Sequence, residues 1–240
     1  MTTIIRVTVA VLLAFILSSC NFDINFGEGI RGNGNIQEED RTVTADFTTI
    51  SGAEGLDIII TQGSPSSISV QADENVIGLI LTEIKNGTLR IHADKNIGRA
   101  TKTIYVTAPE ISNISGSSGA NLRTKNTITT QHLSLNSSSG AAVIVTATTD
   151  EINADSSSGA DIQIKGTTNH FTASASSGSD IKASDLEAKI CNASASSGAD
   201  IRVQVSENLS ANASSGADIY HQGNARLEIK KSSSGSVHSN

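Results

Sequence analysis

From Ile114 to the C-terminus, short runs of alternating apolar and polar residues flank a recurring Ser-Ser-Gly triplet. Leu133, Ile152, Phe171, Cys191 and Leu209 each stand seven residues before the glycine of their triplet and begin a run in which every second residue is apolar. Val143, Ile162, Ile181, Ile201 and Ile219 stand three residues after it and begin a second run. Alternation of period two is the mark of a half-buried strand. The triplet glycines, Gly119, Gly140, Gly159, Gly178, Gly198, Gly216 and Gly235, are separated by 21, 19, 19, 20, 18 and 19 residues. A near-constant period of this kind marks a solenoid.

Each repeat therefore predicts two short strands, a corner whose glycine takes positive φ, and a connecting stretch of about six residues. That stretch often carries one more apolar residue, such as Ile128, Leu186 or Val205. Coils stacked about 4.8 Å apart would pair each strand with its counterparts above and below. The expected fold is all-β, a single-stranded right-handed parallel β-helix of about ten coils of roughly 19–21 residues. The Leu-x-x-Leu-x-Leu spacing of a leucine-rich repeat and the Gly-Gly-x-Gly-x-Asp of calcium-binding rolls are both missing.

The N-terminal half is less regular. Ile50 to Ile58 aligns with Ile114 to Leu122, setting Gly52 over Gly116 and Gly55 over Gly119. The 64 residues between Ile58 and Leu122 have room for about three further coils. Strand-like runs at 68–70, 79–84, 89–91 and 104–106 fill that interval, and Asn86-Gly87 is a two-residue hairpin signal. The expected organisation is one β-helix domain over residues 36–240.

Composition then explains how such a core is filled. Aromatic residues are 3% of the chain, five Phe and two Tyr without Trp, so Ile, Val, Leu and Ala must fill each layer. The 35 serines, 28 of them from Ser112 onward, resemble a flexible linker until their period is seen. The net charge of -7 argues against a phosphate-binding surface and hence against nucleic acid as a partner. Two cysteines make no disulfide framework.

Arg6 precedes the apolar run from Val7 to Leu17 and the sequence Ser18-Ser19-Cys20, the layout of a secretory leader over residues 1–19. The Leu-Ser-Ser-Cys end resembles a bacterial lipoprotein box, which implies lipid on Cys20 and an envelope lipoprotein; the outer membrane of a Gram-negative bacterium is the expected location, and Asn21 after the cysteine does not by itself decide between inner and outer membrane. Acylation at more than one point is sufficient for stable anchoring. Residues 20–35, rich in Asn and Gly, read as the lipidated cysteine and a tether.

A further ordered pattern spans residues 33–110. It comprises Gly34-Asn-Ile36, Arg41-Thr-Val43, Phe47-Thr-Thr-Ile50 and Gly55-Leu-Asp-Ile58-Ile-Ile60-Thr-Gln-Gly63, then Val70-Gln-Ala-Asp-Glu-Asn75 and Asn86-Gly87-Thr-Leu89-Arg-Ile91. The chain from about Gly32 to Asn240 resembles the "putative auto-transporter adhesin, head GIN domain" family of secreted and lipoprotein bacterial proteins. The resemblance implies a parallel β-helix on the cell envelope and supplies no catalytic motif.

Equal register makes vertical neighbours, so outward residues form columns. Two residues after successive glycines stand Asp161, Asp180, Asp200 and Asp218, preceded by Asn121 and Ala142. Stacked carboxylates repel by about 1 kcal/mol per contact in water, and calcium with its oxygen ligands is one candidate relief. Lys182 and Arg202, beside Asp180 and Asp200, are the other. His132, Glu151 and His170 occupy one register on three successive coils and are candidate ligands for zinc or nickel, or simply an exposed polar column. Cys191 falls in an inward register and reads as a buried filler rather than a nucleophile. The corner serines have no matching His and Asp.

These features point to a non-enzymatic envelope lipoprotein that displays a rigid rod for adhesion or scaffolding, with an envelope glycan or protein as partner. Two alternatives stand beside it, a polysaccharide-active β-helix enzyme and a periplasmic sensor or regulatory partner. The small number of aromatic rings weakens a sugar-stacking site. The last coil has no obvious cap, which leaves an unpaired edge.

Overall fold

Two adjacent residues, not one, turn each corner. In the computed structural model, which describes residues 28–231 and 234–239, Ser118, Ser139, Ser158, Ser177, Ser197 and Ser215 take φ between 50 and 56°, and the glycine after each lies between 67 and 74°. A left-handed serine costs about 1–2 kcal/mol, and regular contacts offset it. The N–H of Gly119 donates to the Ser139 carbonyl of the next coil at 3.1 Å, and the same bond recurs at Gly140, Gly159, Gly178 and Gly198. Gly55 makes the equivalent bond to Ser118 at 2.9 Å, with Glu54 in the left-handed serine's place. Gly235 is the exception and lacks the left-handed conformation.

The strands follow the alternation. In chain order they are β1 (Ile36–Arg41), β2 (Thr49–Gly52), β3 (Asp57–Gln62), β4 (Ser67–Asp73), β5 (Ile80–Lys85), β6 (Thr88–Ala93), β7 (Lys102–Ala108), β8 (Asn113–Gly116) and β9 (Asn121–Thr124). Long strands follow: β10 (Ile128–Ser137), and then β11 (Ala142–Ser156), β12 (Asp161–Ala175), β13 (Asp180–Ala195) and β14 (Asp200–Ala213), the last four each running from one corner to the next. β15 (Asp218–Gln222), β16 (Arg226–Lys231) and β17 (Ser236–Ser239) complete the chain. All seventeen belong to one sheet wound as a β-solenoid of about seven turns. Among the described residues the only helical element is a single 3-10 turn at Ile77–Leu79. No helix there is long and apolar enough to cross a membrane.

Parallel pairing turns the inward positions into ladders. Val143, Ile162, Ile181, Ile201 and Ile219 stack in one, and Leu133, Ile152, Phe171, Cys191 and Leu209 in another. All are essentially inaccessible to water. Fully burying a side chain of this class stabilises by about 1.5–3 kcal/mol. Many thin aliphatic layers thus replace the few aromatic anchors that the composition lacks.

The N-terminal half departs from the expected count of about ten coils. Ile58 lies directly against Leu122, and Ile50 against Ile114, so the aligned segments are vertical neighbours. The 64 residues between them are not three intervening coils. The chain doubles back, and β6 and β7 pair with the opposite edges of β2 and β3. β4 then lies antiparallel on β7, and β1 antiparallel on β4. β5 and β6 form an antiparallel hairpin through Asn86 and Gly87, at φ 50° and 73°. These antiparallel strands close the N-terminal end of the solenoid. In the β5–β6 pair the reversed direction follows from the two-residue hairpin, which is too short to return a parallel strand.

The leader over 1–19 and Cys20 lie outside the described residues. Of the segment read as tether, residues 28–35 are bound to the N-terminal cap. Ile30 N–H donates to Asn96 O at 2.9 Å and Gly32 N–H to Arg99 O at 3.0 Å. The buried Asp73 carboxylate accepts the Gly34 and Thr101 amides. At the other end Leu227 and Ile229 continue the ladders of Leu209 and Ala211, yet stay 41% and 43% exposed.

Candidate functional site: outward columns and an axial groove

The acidic column forms as the register predicted. Asp161, Asp180, Asp200 and Asp218 are successive Cα partners, and Asn121 and Ala142 precede them. The column also extends to Asp57, which sits against Asn121 and accepts its amide at 3.2 Å. Side chains of the chain itself answer the carboxylates. Lys182 reaches Asp161 at 2.8 Å and Asp180 at 3.4 Å, Arg202 reaches Asp200 at 3.4 Å, and His238 lies 3.2 Å from Asp218. The hydrogen bond with Asp161 holds the Lys182 ammonium above its ordinary value. The column is therefore a row of local ion pairs from Asp161 to Asp200, with Asp218 beside an imidazole, each at the surface and worth little individually.

Next to it, Arg202, Tyr220 and His238 stack in register. The Arg202 guanidinium lies 4.9 Å from the Tyr220 ring centre, and the His238 ring stacks on Tyr220 at 4.9 Å. Neighbours on the coils before and after thus occupy the tyrosine ring, which leaves no open platform for a sugar.

His132, Glu151 and His170 are register partners on three coils. His132 Nδ1 lies 3.1 Å from Glu151 Oε2, and the Asn153 amide donates to Glu151 Oε1 at 2.9 Å. That amide bond first, with some contribution from His132, holds the Glu151 carboxyl below its ordinary range. Among the described residues no three His, Cys, Asp or Glu side chains are grouped to hold a metal ion. Cys191 is buried and free, and burial pushes its thiol up to about 12. It is an inert member of its ladder.

A concavity lies elsewhere, along the solenoid axis over strands β10 to β14, with a volume of about 880 Å³. Its floor is the row Thr130, Thr149, Thr168, Ala188 and Val205, one residue from each coil in register. One wall is the row Thr129, Thr148, Thr167, Glu187 and Gln204. Asp150, Asn169 and Lys189 form the other, at a point where ladder pairing lapses for one residue per coil. Asn169 donates to Asp150 at 3.0 Å across neighbouring coils.

Unequal coil lengths shape this groove. Pairing shifts between Gln163 and Lys165 on β12, and again between Ala183 and Glu187 and between Ala188 and Ile190 on β13. Ser184, Asp185 and Leu186 have no counterpart on β14. Gln222 fixes that bulge, donating to the Ser184 carbonyl at 2.8 Å two coils away. Of the three departures from a 19-residue gap (21, 20 and 18), the last two were the only trace of the groove in the sequence. They resemble noise until the register shows that the differences collect in one stretch.

A model of the family described as "putative auto-transporter adhesin, head GIN domain" matches residues 46–225. Among solved structures, one described as a putative adhesin from Bacteroides fragilis covers 88% of this chain and 100% of its own, at 22% identity and a TM-score of 0.81. A second, described as a putative lipid binding protein from Parabacteroides distasonis, covers 88% and 99% at 19% identity and a TM-score of 0.71. A putative adhesin from Parabacteroides merdae covers 88% and 98% at 17% identity and a TM-score of 0.70. At these identities the likeness is one of fold. No curated protein gives a significant match. The family match spans three quarters of the chain, and the chain belongs to the head GIN domain family of auto-transporter adhesins so described.

Proposed function

We infer that the protein is a non-catalytic binding protein of the bacterial cell envelope, which presents its solenoid to an envelope glycan or a partner protein. The observation that carries this reading is the repetition of outward chemistry on a fixed lattice. The same side-chain position recurs on coil after coil, as in the acidic column and the threonine rows. Such a surface suits a repetitive partner, because many weak contacts at matched spacing combine into useful avidity. Membership of an adhesin-described family and neighbours named as adhesins favour the same role. The leader ending in Leu-Ser-Ser-Cys20 supports attachment to the membrane by lipid, with the outer membrane as its destination.

Two measurements test this. Metabolic labelling with a clickable palmitate analogue should mark the protein, and Cys20→Ser should abolish the label; a label that survives refutes the anchor. Deleting the gene should reduce attachment of cells to glycan- or protein-coated surfaces, with recovery on complementation. Unchanged attachment together with unchanged envelope composition would refute the binding role.

A further inference from the structure

We propose that the axial groove over β10–β14 is the binding site, and that it takes a linear, uncharged polysaccharide lying along the solenoid axis. This rests on the reading of the protein as a non-catalytic binder and names where, and to what, it binds. A regular parallel solenoid presents flat faces. Here the register shifts and the three-residue bulge fall beside the concave face, at 163–165 and 183–190, next to the wall residues Thr167 and Glu187. Bulges and irregular coil lengths that concentrate at one place are characteristic of binding sites rather than of packing.

The chemistry of the walls selects the ligand. The groove's volume of about 880 Å³ falls within the usual range for small-molecule and oligosaccharide sites. Five coils give it a length of about 19–24 Å, with one set of wall groups every 4.8 Å or so. That interval is close to the advance of one sugar ring in an extended glycan. On the walls, the side chains of Thr148, Thr167, Glu187 and Lys189 make no hydrogen bond or ion pair with other described residues. They offer hydroxyl, carboxylate and ammonium groups to a hydroxyl-rich chain. On the floor, Thr149 and Thr168 bond to each other at 3.1 Å, and Thr168 also donates to main-chain oxygen. With those hydroxyls engaged, the floor offers the carbon of Thr, Ala188 and Val205, which suits the C–H face of a sugar.

Other occupants fit less well. Along its middle the groove crosses strands β11 to β13, each paired on both sides, so a peptide finds no sheet edge to extend there. An acyl chain would leave the polar walls unpaired. Asp150 and Glu187 outnumber Lys189, which disfavours uronate-rich or sulfated glycans.

The test uses the full chain and a panel of linear hexasaccharides of glucose and of mannose, α- and β-linked, alongside polygalacturonate oligomers and unrelated peptides. Thr148→Arg/Thr167→Arg fills the groove from exposed positions without touching the core. Ile144→Arg, on an outward position of another face, is the control. Circular dichroism and thermal midpoints confirm that each variant folds. The proposal expects at least one neutral hexasaccharide to bind, affinity to fall by about tenfold or more in the double variant, and the control to match the parent. Glu187→Gln and Lys189→Met should each weaken binding by a smaller factor. Binding that survives the double variant, binding of acidic glycans or peptides only, or no binding by any neutral hexasaccharide each overturns the groove. If gene deletion still impairs attachment in those cases, the wider binding role stands and only this site falls.

Discussion

Two glycines of the same coil region should respond very differently to one added methyl. At Gly159 a Cβ would meet nothing within 4 Å, and the only penalty is its φ of 68°. An alanine held left-handed there costs about 1–2 kcal/mol. At Gly166, with φ 117°, the Cβ would come within 1.9 Å of the Ala147 carbonyl oxygen on the coil below. That atom belongs to a paired strand and cannot move alone. Relief requires the β11–β12 ladder to part locally, losing one or two hydrogen bonds at about 1 kcal/mol each on top of the dihedral strain. Gly166→Ala should therefore cost about 2–4 kcal/mol. For a chain of this size, thermal midpoints should fall by about 2–8 °C for Gly159→Ala and roughly twice as far for Gly166→Ala. Parallel thermal and urea unfolding of the two variants measures this. Equal losses, or a larger loss at Gly159, would refute the stacking of Gly166 against Ala147.

Phe171→Ala removes the largest buried side chain and should destabilise by about 3–5 kcal/mol in urea unfolding. Ser156 donates its buried hydroxyl to the Ala160 carbonyl at 2.9 Å, but the same position on later coils is Ala175, Ala195 and Ala213. Ser156→Ala should then cost less than about 1.5 kcal/mol, the net worth of one such bond. Cys191 has its thiol raised from 9.0 to about 12 by burial. A raised folded-state value favours the neutral thiol, so its contribution is complete below about pH 9 and is lost as pH climbs toward 12. Stability measured across that window should fall less steeply in Cys191→Ala, and a Cys20→Ser chain should react with thiol reagents only on unfolding. Lys182→Met leaves Asp161 and Asp180 facing each other, and should cost under about 1 kcal/mol, shrinking as salt is raised.

The repeating half was legible because each coil makes the same physical demand. A corner needs left-handed residues, flanking strands need alternation, and the spacing shows both. Even so, the glycine was visible as a corner residue, while the left-handed serine before it was not, since serine carries no conformational signature. The cap was hidden for a different reason. Ile58 and Leu122 are adjacent because a distant segment pairs on the other side of β3, and local pattern cannot reveal such a detour. The acidic column was legible by register, and its ion pairs with Lys182 and Arg202 followed from the neighbouring outward position. The groove was not legible, because concavity depends on where unequal lengths are absorbed rather than on which residues are present.

Retention and product analysis on the same sample tests the central claim, that this solenoid binds without converting what it binds. Purified full-length protein, immobilised and incubated for long periods with neutral envelope-type polysaccharides, should retain polymer whose chain length and reducing ends are unchanged. Shortened chains or new unsaturated ends, suppressed by Asp180→Ala and Asp200→Ala, would contradict the account and make the protein an enzyme.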